Sequence, residues 1–192
     1  AYQVFAEAGF RGATTRRIAE AANVNEVTVF RRFPNKDALI VAALRHFSDR
    51  MIAALASRSL PEQPRDLRAE LTDYATMILS AILASHQAHR TAIGEWGHNP
   101  SLDQYLLLTT GYVYDEVHRY LVRAQAAGLL RAAVDPLVGT QLLLGALLAD
   151  AIMRDVMPER FPLSPATTAA AYLDLLLTGL VRSAEDTTGG TG

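Results

Sequence analysis

Residues 14–36 read TTRRIAEAANVNEVTVFRRFPNK, and this stretch has the spacing of two short helices joined by a tight turn. Thr14 or Thr15 can cap the first helix through its hydroxyl group. Asn23 suits the turn, because asparagine tolerates the left-handed backbone conformation that a tight connection between helices requires. Asn25 can cap the second helix in the same way. The stretch therefore predicts a helix-turn-helix.

The second of these helices has two faces of different character. Val29 and Phe33 lie one turn apart and are expected to point inward, so Val27 and Arg31 must point the opposite way. An exposed valine beside an exposed arginine suits the major groove of DNA, where apolar groups meet thymine methyls and arginine reads guanine. Just beyond, Asn35 can cap the next helix and turn its backbone N–H groups toward a phosphate.

The charge distribution agrees with a polyanionic partner for the front of the chain. Residues 1–50 hold eight basic and five acidic side chains, whereas residues 51–192 hold ten basic and fifteen acidic ones. Arg16, Arg32 and Lys36 surround the two predicted helices and suit contacts with phosphates. An ordinary three-helix corner with solvated arginines would show the same local pattern.

The remainder of the chain also has helical periodicity. Apolar residues recur every three or four positions in residues 66–86, 103–125, 136–157 and 166–182. A polar connector with two prolines covers residues 57–65. We expect an all-α protein, with a helix-turn-helix domain in residues 1–48 and a helical bundle in residues 49–192.

Composition excludes several classes of site. The chain has no cysteine, so disulfides, cysteine-type zinc sites and thiol chemistry are excluded. Leu142–Ala149, the longest wholly apolar run, is far shorter than the roughly 20 residues that span a bilayer. The sequence begins at Ala1 inside a predicted helix, so we expect an upstream piece to be missing. The expected location is the cytoplasm.

Several motifs in residues 1–47 occur together and in a fixed order. They are a Phe-x-x-x-Gly-Phe helix end, a Thr-Thr start, Ile-Ala-x-x-Ala, an aromatic-x-x-Phe end and Pro-Asn-Lys-x-x-Leu. Together they resemble the DNA-binding domain of the TetR family of transcriptional regulators. The resemblance implies nine or ten helices and a homodimeric repressor. It also implies that the repressor leaves a palindromic operator when a small ligand binds behind the DNA-binding head.

The same resemblance assigns roles to individual residues. Thr15 and Arg16 occupy positions where family members touch phosphate and sometimes base. Base reading is assigned to Asn25, Glu26, Val27, Thr28 and Arg31. Phosphate contacts are assigned to Phe30, Arg32 and Lys36. For Glu26 two roles stay open: it accepts from cytosine N4, or it only complements the helix dipole.

Two positions depart from the family pattern. Asn23 stands where the family usually has glycine, and Phe30 stands where it usually has tyrosine. The missing tyrosine hydroxyl removes one hydrogen bond to phosphate, which puts the contribution of Phe30 in doubt.

The helix predicted for residues 136–157 has almost no polar side. From Leu137 to Ala149 only Thr140 and Gln141 interrupt it, so the helix must be covered on more than one side. A central position in one bundle or a partner subunit would provide that cover. With the resemblance, residues 136–157 and 166–182 become the expected dimer interface. Asp150 and Arg154, four residues apart, are expected to form a surface ion pair.

The resemblance also implies a ligand pocket between the helices of residues 66–86 and 103–125 and the start of the next helix. The candidate lining is Tyr74, Met77, Ile78, Trp96, Thr110, Val113 and Leu147. These residues are mostly apolar, so the expected ligand is a mostly apolar small molecule with few polar groups. Each of them also fits an ordinary core position.

Two other classes of function compete with a ligand-responsive regulator. An all-α enzyme could use Glu95 with His86, His89 and His98 as a metal or acid–base site. However, no carboxylate lies at ligand spacing on the histidine-bearing helix, and we expect no catalytic residue, metal or cofactor. The third class is a TetR-like protein that has lost DNA binding and acts through a partner. The basic residues around the predicted helix-turn-helix argue against it.

Overall fold

A computed structural model describes residues 1–95, 97–98, 100–154 and 156–180. Its helices are α1 Tyr2–Gly12, α2 Thr15–Ala21, α3 Glu26–Arg32, α4 Lys36–Ala56, α5 Leu67–Ala84, α6 His86–Glu95, α7 Pro100–Ala126, α8 Pro136–Met153 and α9 Pro165–Leu180. A short 3-10 turn, Pro158–Arg160, precedes α9. The predicted all-α fold with an N-terminal helix-turn-helix is confirmed.

The chain forms two compact units. The first contains Ala1–Ser57 and Ser85–Tyr112, and the second contains Arg58–Ala84 and Val113–Gly192. Helix α4 continues past residue 48 to Ala56, and α6 belongs to the first unit. The predicted boundary at residue 48 separates a DNA-binding part from a ligand-binding and dimerisation part. That functional division stays a prediction.

The first unit is built around one apolar core to which α1, α2, α3 and α4 all contribute. Its buried members are Val4, Phe5, Ala13, Ile18, Ala19, Val29, Leu39, Ile40 and Leu44. Phe10 and Phe33 are partly buried and pack against that core. Removal of these side chains from water is the main force that holds the short helices α2 and α3 in place, since isolated helices of this length are unstable.

In the second unit, α5 packs against both α8 and α9. Leu71 and Leu79 of α5, Leu147 of α8 and Leu173 of α9 are almost fully buried. Leu71 and Leu173 belong to the apolar stripes that the sequence periodicity predicts for their helices.

Polar contacts in the second unit tie α7 to the segment around the start of α5. The Tyr120 hydroxyl donates to Glu70 Oε2 at 2.5 Å, and burial together with Glu70 raises the pKa of that tyrosine. The buried Glu116 accepts from the backbone N–H of Leu60 at 3.1 Å and from Arg119 at 2.9 Å. Glu116 therefore holds the proline-containing connector at Leu60, and Glu70 links α5 to α7.

Asp150 and Arg154 form the expected ion pair, but the prediction that it lies at the surface is wrong. Asp150 is 2% exposed, and its Oδ1 accepts from Arg154 Nε at 2.6 Å. Arg154 also donates to Thr168 at 2.8 Å and to the carbonyl oxygen of Leu163. Tyr172 donates to Asp150 at 3.2 Å. Buried carboxylates need such partners, because an unpaired buried charge is strongly destabilising.

Helix α8 ends at Met153, four residues before the predicted end at residue 157. One side of it is exposed and apolar, with Leu137, Val138 and Leu142 all at least 40% exposed. By length and apolar composition alone, α8 could cross a membrane. Core helices of soluble proteins meet the same criterion.

Candidate nucleic-acid interface

The first half of the helix-turn-helix has the predicted capping and turn. Thr14 is the N-cap of α2, and its Oγ1 accepts from the backbone N–H of Arg17 at 3.3 Å. Asn23 has φ 53°, the left-handed conformation that the sequence predicts for the turn. The backbone N–H of Val24 closes this turn on the carbonyl oxygen of Ala19 at 3.0 Å. The entry of the chain into α3 is thus fixed by local hydrogen bonds.

Helix α3 shows the two faces that its sequence predicts. Asn25 caps it, with Oδ1 accepting from the backbone N–H of Val27 at 2.8 Å. Val29 is buried in the core, whereas Val27 is 72% exposed. Phe30 is 52% exposed, and Arg31 is also exposed. An apolar group and a guanidinium therefore share one surface. No described residue of the first unit covers that surface.

Thr15 and Glu26 join the first residues of α2 and α3. The Thr15 hydroxyl donates to Glu26 Oε1 at 2.6 Å, and both side chains are half-buried. A hydroxyl has one proton to donate, so this bond leaves Thr15 as an acceptor only. A phosphate oxygen also only accepts, and Thr15 can donate to one only after it releases Glu26. Sequence reasoning missed this pair, because it joins residues on different helices.

The arginines of this region are exposed. Arg16 pairs with Glu20 at 3.0 Å, and the two side chains are 80% and 62% exposed. Such an exposed pair contributes little to stability, so the guanidinium can exchange its partner for a phosphate at small cost. Arg32 and Thr28 are exposed as well.

Lys36 makes intramolecular contacts that the sequence did not predict. Its Nζ donates to the carbonyl oxygen of Phe10 at 2.8 Å and lies 4.2 Å from the centre of the Phe10 ring. One residue earlier, Asn35 caps α4, with Oδ1 accepting from the backbone N–H of Ala38 at 2.8 Å. The cap confirms the prediction for Asn35. The phosphate contact assigned to Lys36 stays a prediction.

Two residues of the competing enzyme hypothesis, Glu95 and His89, make contacts with the backbone. Glu95 Oε1 accepts from the backbone N–H of Phe10 at 3.1 Å. His89 Nδ1 lies 3.0 Å from the carbonyl oxygen of Ser85. Among the described residues there is no group of three His, Cys, Asp or Glu side chains that could hold a metal ion.

The residues expected to line a ligand pocket are placed as follows. Tyr74, Ile78, Val113 and Leu147 of the second unit are buried, and Met77 is half-buried. Thr110 is exposed, and Trp96 lies outside the described residues. Burial is common to core side chains and pocket side chains, and the ligand site stays a prediction.

Comparison with known proteins identifies both parts of the chain. The model for bacterial regulatory proteins of the tetR family matches residues 1–43. The model for the C-terminal domain of AefR-like transcriptional repressors matches residues 65–176, more than half of the chain.

Curated relatives match part of the chain. The HTH-type transcriptional regulator YvkB of Bacillus subtilis is 37% identical over 83 residues, which cover 43% of this chain and 41% of YvkB. The HTH-type transcriptional repressor AcnR of Corynebacterium diphtheriae is 36% identical over 69 residues, covering 36% of each chain. The alignments therefore span about two fifths of the length of these relatives.

A solved structure matches over almost the whole chain. The transcriptional regulator FadR from Bacillus subtilis, in complex with stearoyl-CoA, has a TM-score of 0.74 at 18% identity. The match covers 93% of this chain and 95% of FadR. At this identity the likeness shows a shared fold.

Proposed function

This chain belongs to the TetR family of bacterial regulatory proteins, and from that premise we propose that it is a homodimeric repressor released from a palindromic operator by a small, mostly apolar ligand. The family consists of transcription factors, so the chain is a regulator and not an enzyme. The observation that carries the proposal is the outer face of α3, where Val27 is 72% exposed beside the exposed Arg31. A solvated apolar side chain next to a guanidinium is the surface that a major groove accommodates.

In the proposed complex α3 lies in the major groove and reads base edges. Arg31 reads guanine and Val27 contacts a thymine methyl, while Asn25, Glu26 and Thr28 border the same groove. Phosphate contacts come from Arg16, Arg32 and Lys36. Phe30 lies on the same surface without a hydroxyl to donate to phosphate, and Thr15 lies at its edge. The phosphate-binding side chains supply affinity, and the side chains of α3 supply sequence preference.

The dimer is proposed to form through α8 and α9. Leu142 is 57% exposed on α8, and Leu175 is 78% exposed on α9. Exposed leucines on neighbouring helices favour a contact with a second copy, because burial of their surface is favourable. A two-fold dimer requires a palindromic site, with half-sites about one helical turn of DNA apart, roughly 34 Å.

The ligand is proposed to bind among the candidate lining residues. Tyr74, Ile78 and Leu147 are buried and offer mainly apolar surface. The structurally similar FadR was solved with stearoyl-CoA, a molecule with a long apolar chain. We propose a mostly apolar effector for this chain, and the bacterial cytoplasm as the compartment where the protein meets its DNA.

Selection of bound duplexes from a random pool tests the proposal. The full-length protein should enrich a palindromic motif, and an Arg31→Ala variant should lose preference at one position in each half-site. Arg58→Ala is the matched control, because Arg58 is exposed in the second unit, far along the chain from α3. A pool without any enriched motif would contradict the proposal and favour a regulator that acts through a protein partner.

A further inference from the structure

Helix α1 is interrupted at Gly9, which has φ 67° and ψ −178°. The interruption removes the helical partners of the next residue, so the backbone of Phe10 needs contacts from elsewhere. A Cβ atom built on Gly9 would lie 3.3 Å from Glu95 Oε1. The backbone conformation therefore favours glycine here, and a side chain at this position would also crowd the Glu95 carboxylate.

Helix α6 makes a polar contact on each side of this interruption. Before it, Thr91 Oγ1 donates to the carbonyl oxygen of Ala6 at 2.8 Å. After it, Glu95 Oε1 accepts from the backbone N–H of Phe10 at 3.1 Å. The two α6 residues are four apart and thus lie on the same face. The carboxylate replaces the acceptor that an unbroken α1 would have supplied to Phe10.

The other side of Phe10 is held by the first residue of α4. Lys36 Nζ donates to the carbonyl oxygen of Phe10 at 2.8 Å, and the ammonium group lies 4.2 Å from the centre of its ring. Glu95 and Lys36 are thus joined through one residue, whose N–H binds the carboxylate and whose C=O binds the ammonium. Both contacts are charge-assisted, which makes them stronger than ordinary backbone hydrogen bonds.

We propose that Glu95 is a positioning residue for the DNA-binding surface, acting through Phe10 on Lys36 and the first turn of α4. Because Glu95 fixes Phe10, Lys36 keeps its place at the N-terminus of a helix whose first amides and ammonium group face the phosphates of bound DNA. This inference rests on the proposed DNA-binding function. It assigns a role in operator affinity to a residue far along the chain from the helix-turn-helix.

Three substitutions at residue 95 test the role. Glu95→Met keeps a side chain of similar length without a strong acceptor, and we expect operator affinity to fall about tenfold. Glu95→Gln keeps an oxygen that can accept from Phe10, so most of the affinity should return. Glu95→Asp retracts the carboxylate by one methylene group. It provides an intermediate variant if the methionine variant does not fold.

A double-mutant cycle separates positioning from general stability. Glu95→Met and Lys36→Met are combined, with the operator dissociation constant and the midpoint of urea unfolding measured for all four proteins. We expect the losses in operator affinity to be non-additive by at least about threefold, because each variant disrupts the same chain of contacts. Additive losses in operator affinity would overturn the proposal.

Thr91→Val is the matched control. It removes the other polar contact between α6 and α1 and leaves Phe10 untouched, so its effect on operator affinity should be additive with Lys36→Met. Hydrogen exchange of the Phe10 amide should accelerate in Glu95→Met and stay slow in Thr91→Val. Unchanged exchange in Glu95→Met, or a wild-type affinity for the operator, would contradict the role of Glu95. Absence of any operator for the wild-type protein would instead contradict the proposed function.

Discussion

At the scale of single residues, DNA recognition depends on which side chains of the first unit have free hydrogen-bonding groups. Arg31 projects from the outer face of α3, whereas Lys36 already donates to the carbonyl oxygen of Phe10. An ammonium group has three protons, so Lys36 can hold Phe10 and a phosphate at the same time. The two cations should therefore make different contributions to binding.

Arg31→Ala should relax base preference at one position in each half-site, at a cost of about 1–3 kcal/mol per contact. Lys36→Ala should weaken binding to every sequence. It should also lower the slope of log affinity against log salt concentration by about 1. Fluorescence anisotropy titrations at several salt concentrations, with operator and scrambled duplexes, measure both effects. Equal losses on both duplexes for Arg31→Ala would contradict its role in base reading.

In the proposed complex, the contact with Glu26 would control whether the Thr15 hydroxyl can donate to DNA. The carboxylate accepts the Thr15 proton at 2.6 Å and places a negative charge at the start of α3. We expect Glu26→Ala to tighten binding to random duplex severalfold, because it frees the hydroxyl and removes repulsion from phosphates. Base preference should be unchanged in a random-pool selection. Glu62→Ala, an exposed change in the connector, is the control. Loss of a cytosine preference would instead assign Glu26 to base reading.

At the scale of helices, capping side chains fix where α2, α3 and α4 begin. Thr14, Asn25 and Asn35 each accept from a backbone N–H of the helix that follows. These interactions join residues two or three positions apart, so the sequence alone predicts them. The inward position of Val29 and the outward position of Val27 were also predictable, because helical periodicity determines faces.

Contacts between distant residues could not be predicted in this way. Glu95 binds the backbone of Phe10, and no spacing rule connects positions so far apart in sequence. Asp150 and Arg154 were correctly paired by their spacing, but the depth of Asp150 depends on α9 and the preceding loop. The burial and the partners of each polar side chain depend on the packing of distant elements, which sequence patterns do not describe.

Asn35→Ala should lower the free energy of unfolding by about 1 kcal/mol, because α4 loses its N-terminal acceptor. Asn35→Asp keeps an oxygen in place and should be nearly neutral. Urea denaturation monitored by circular dichroism measures both. A loss in Asn35→Asp equal to that in Asn35→Ala would show that the oxygen does not act as a cap.

The buried ion pair at the end of α8 should have a much larger effect on stability. Asp150→Ala leaves the Arg154 guanidinium, whose side chain is 15% exposed, without its carboxylate partner. We expect a loss of about 3–5 kcal/mol in the free energy of unfolding. Arg16→Ala breaks an exposed pair of the same spacing and should change stability within experimental error. A small loss in Asp150→Ala would mean that water replaces the carboxylate.

At the scale of the whole molecule, the apolar face of α8 and α9 makes the oligomeric state testable. Leu142→Glu places a charge on a side chain that is 57% exposed in one chain, so the chain itself should still fold. In the proposed dimer the charge would be buried without a partner, at a cost of several kcal/mol per subunit. Light scattering should report a monomer. Val122→Glu, at a position 45% exposed on α7, should remain a dimer. If the Leu142→Glu variant remains a dimer, the interface must lie on another face of the protein.

Helix α4 has a mechanical consequence for the proposed dimer, in which two heads would have to match two successive grooves. Its 21 residues form one unbroken helix, about 30 Å long at 1.5 Å per residue. A tilt of only about 10° about one end displaces the other end by roughly 5 Å on this lever. The major groove is about 12 Å wide, so opposite displacements of this size in two heads would put both out of register. In the proposed dimer, a small rotation of α4, amplified by the length of the helix, would therefore be enough to release both heads from DNA.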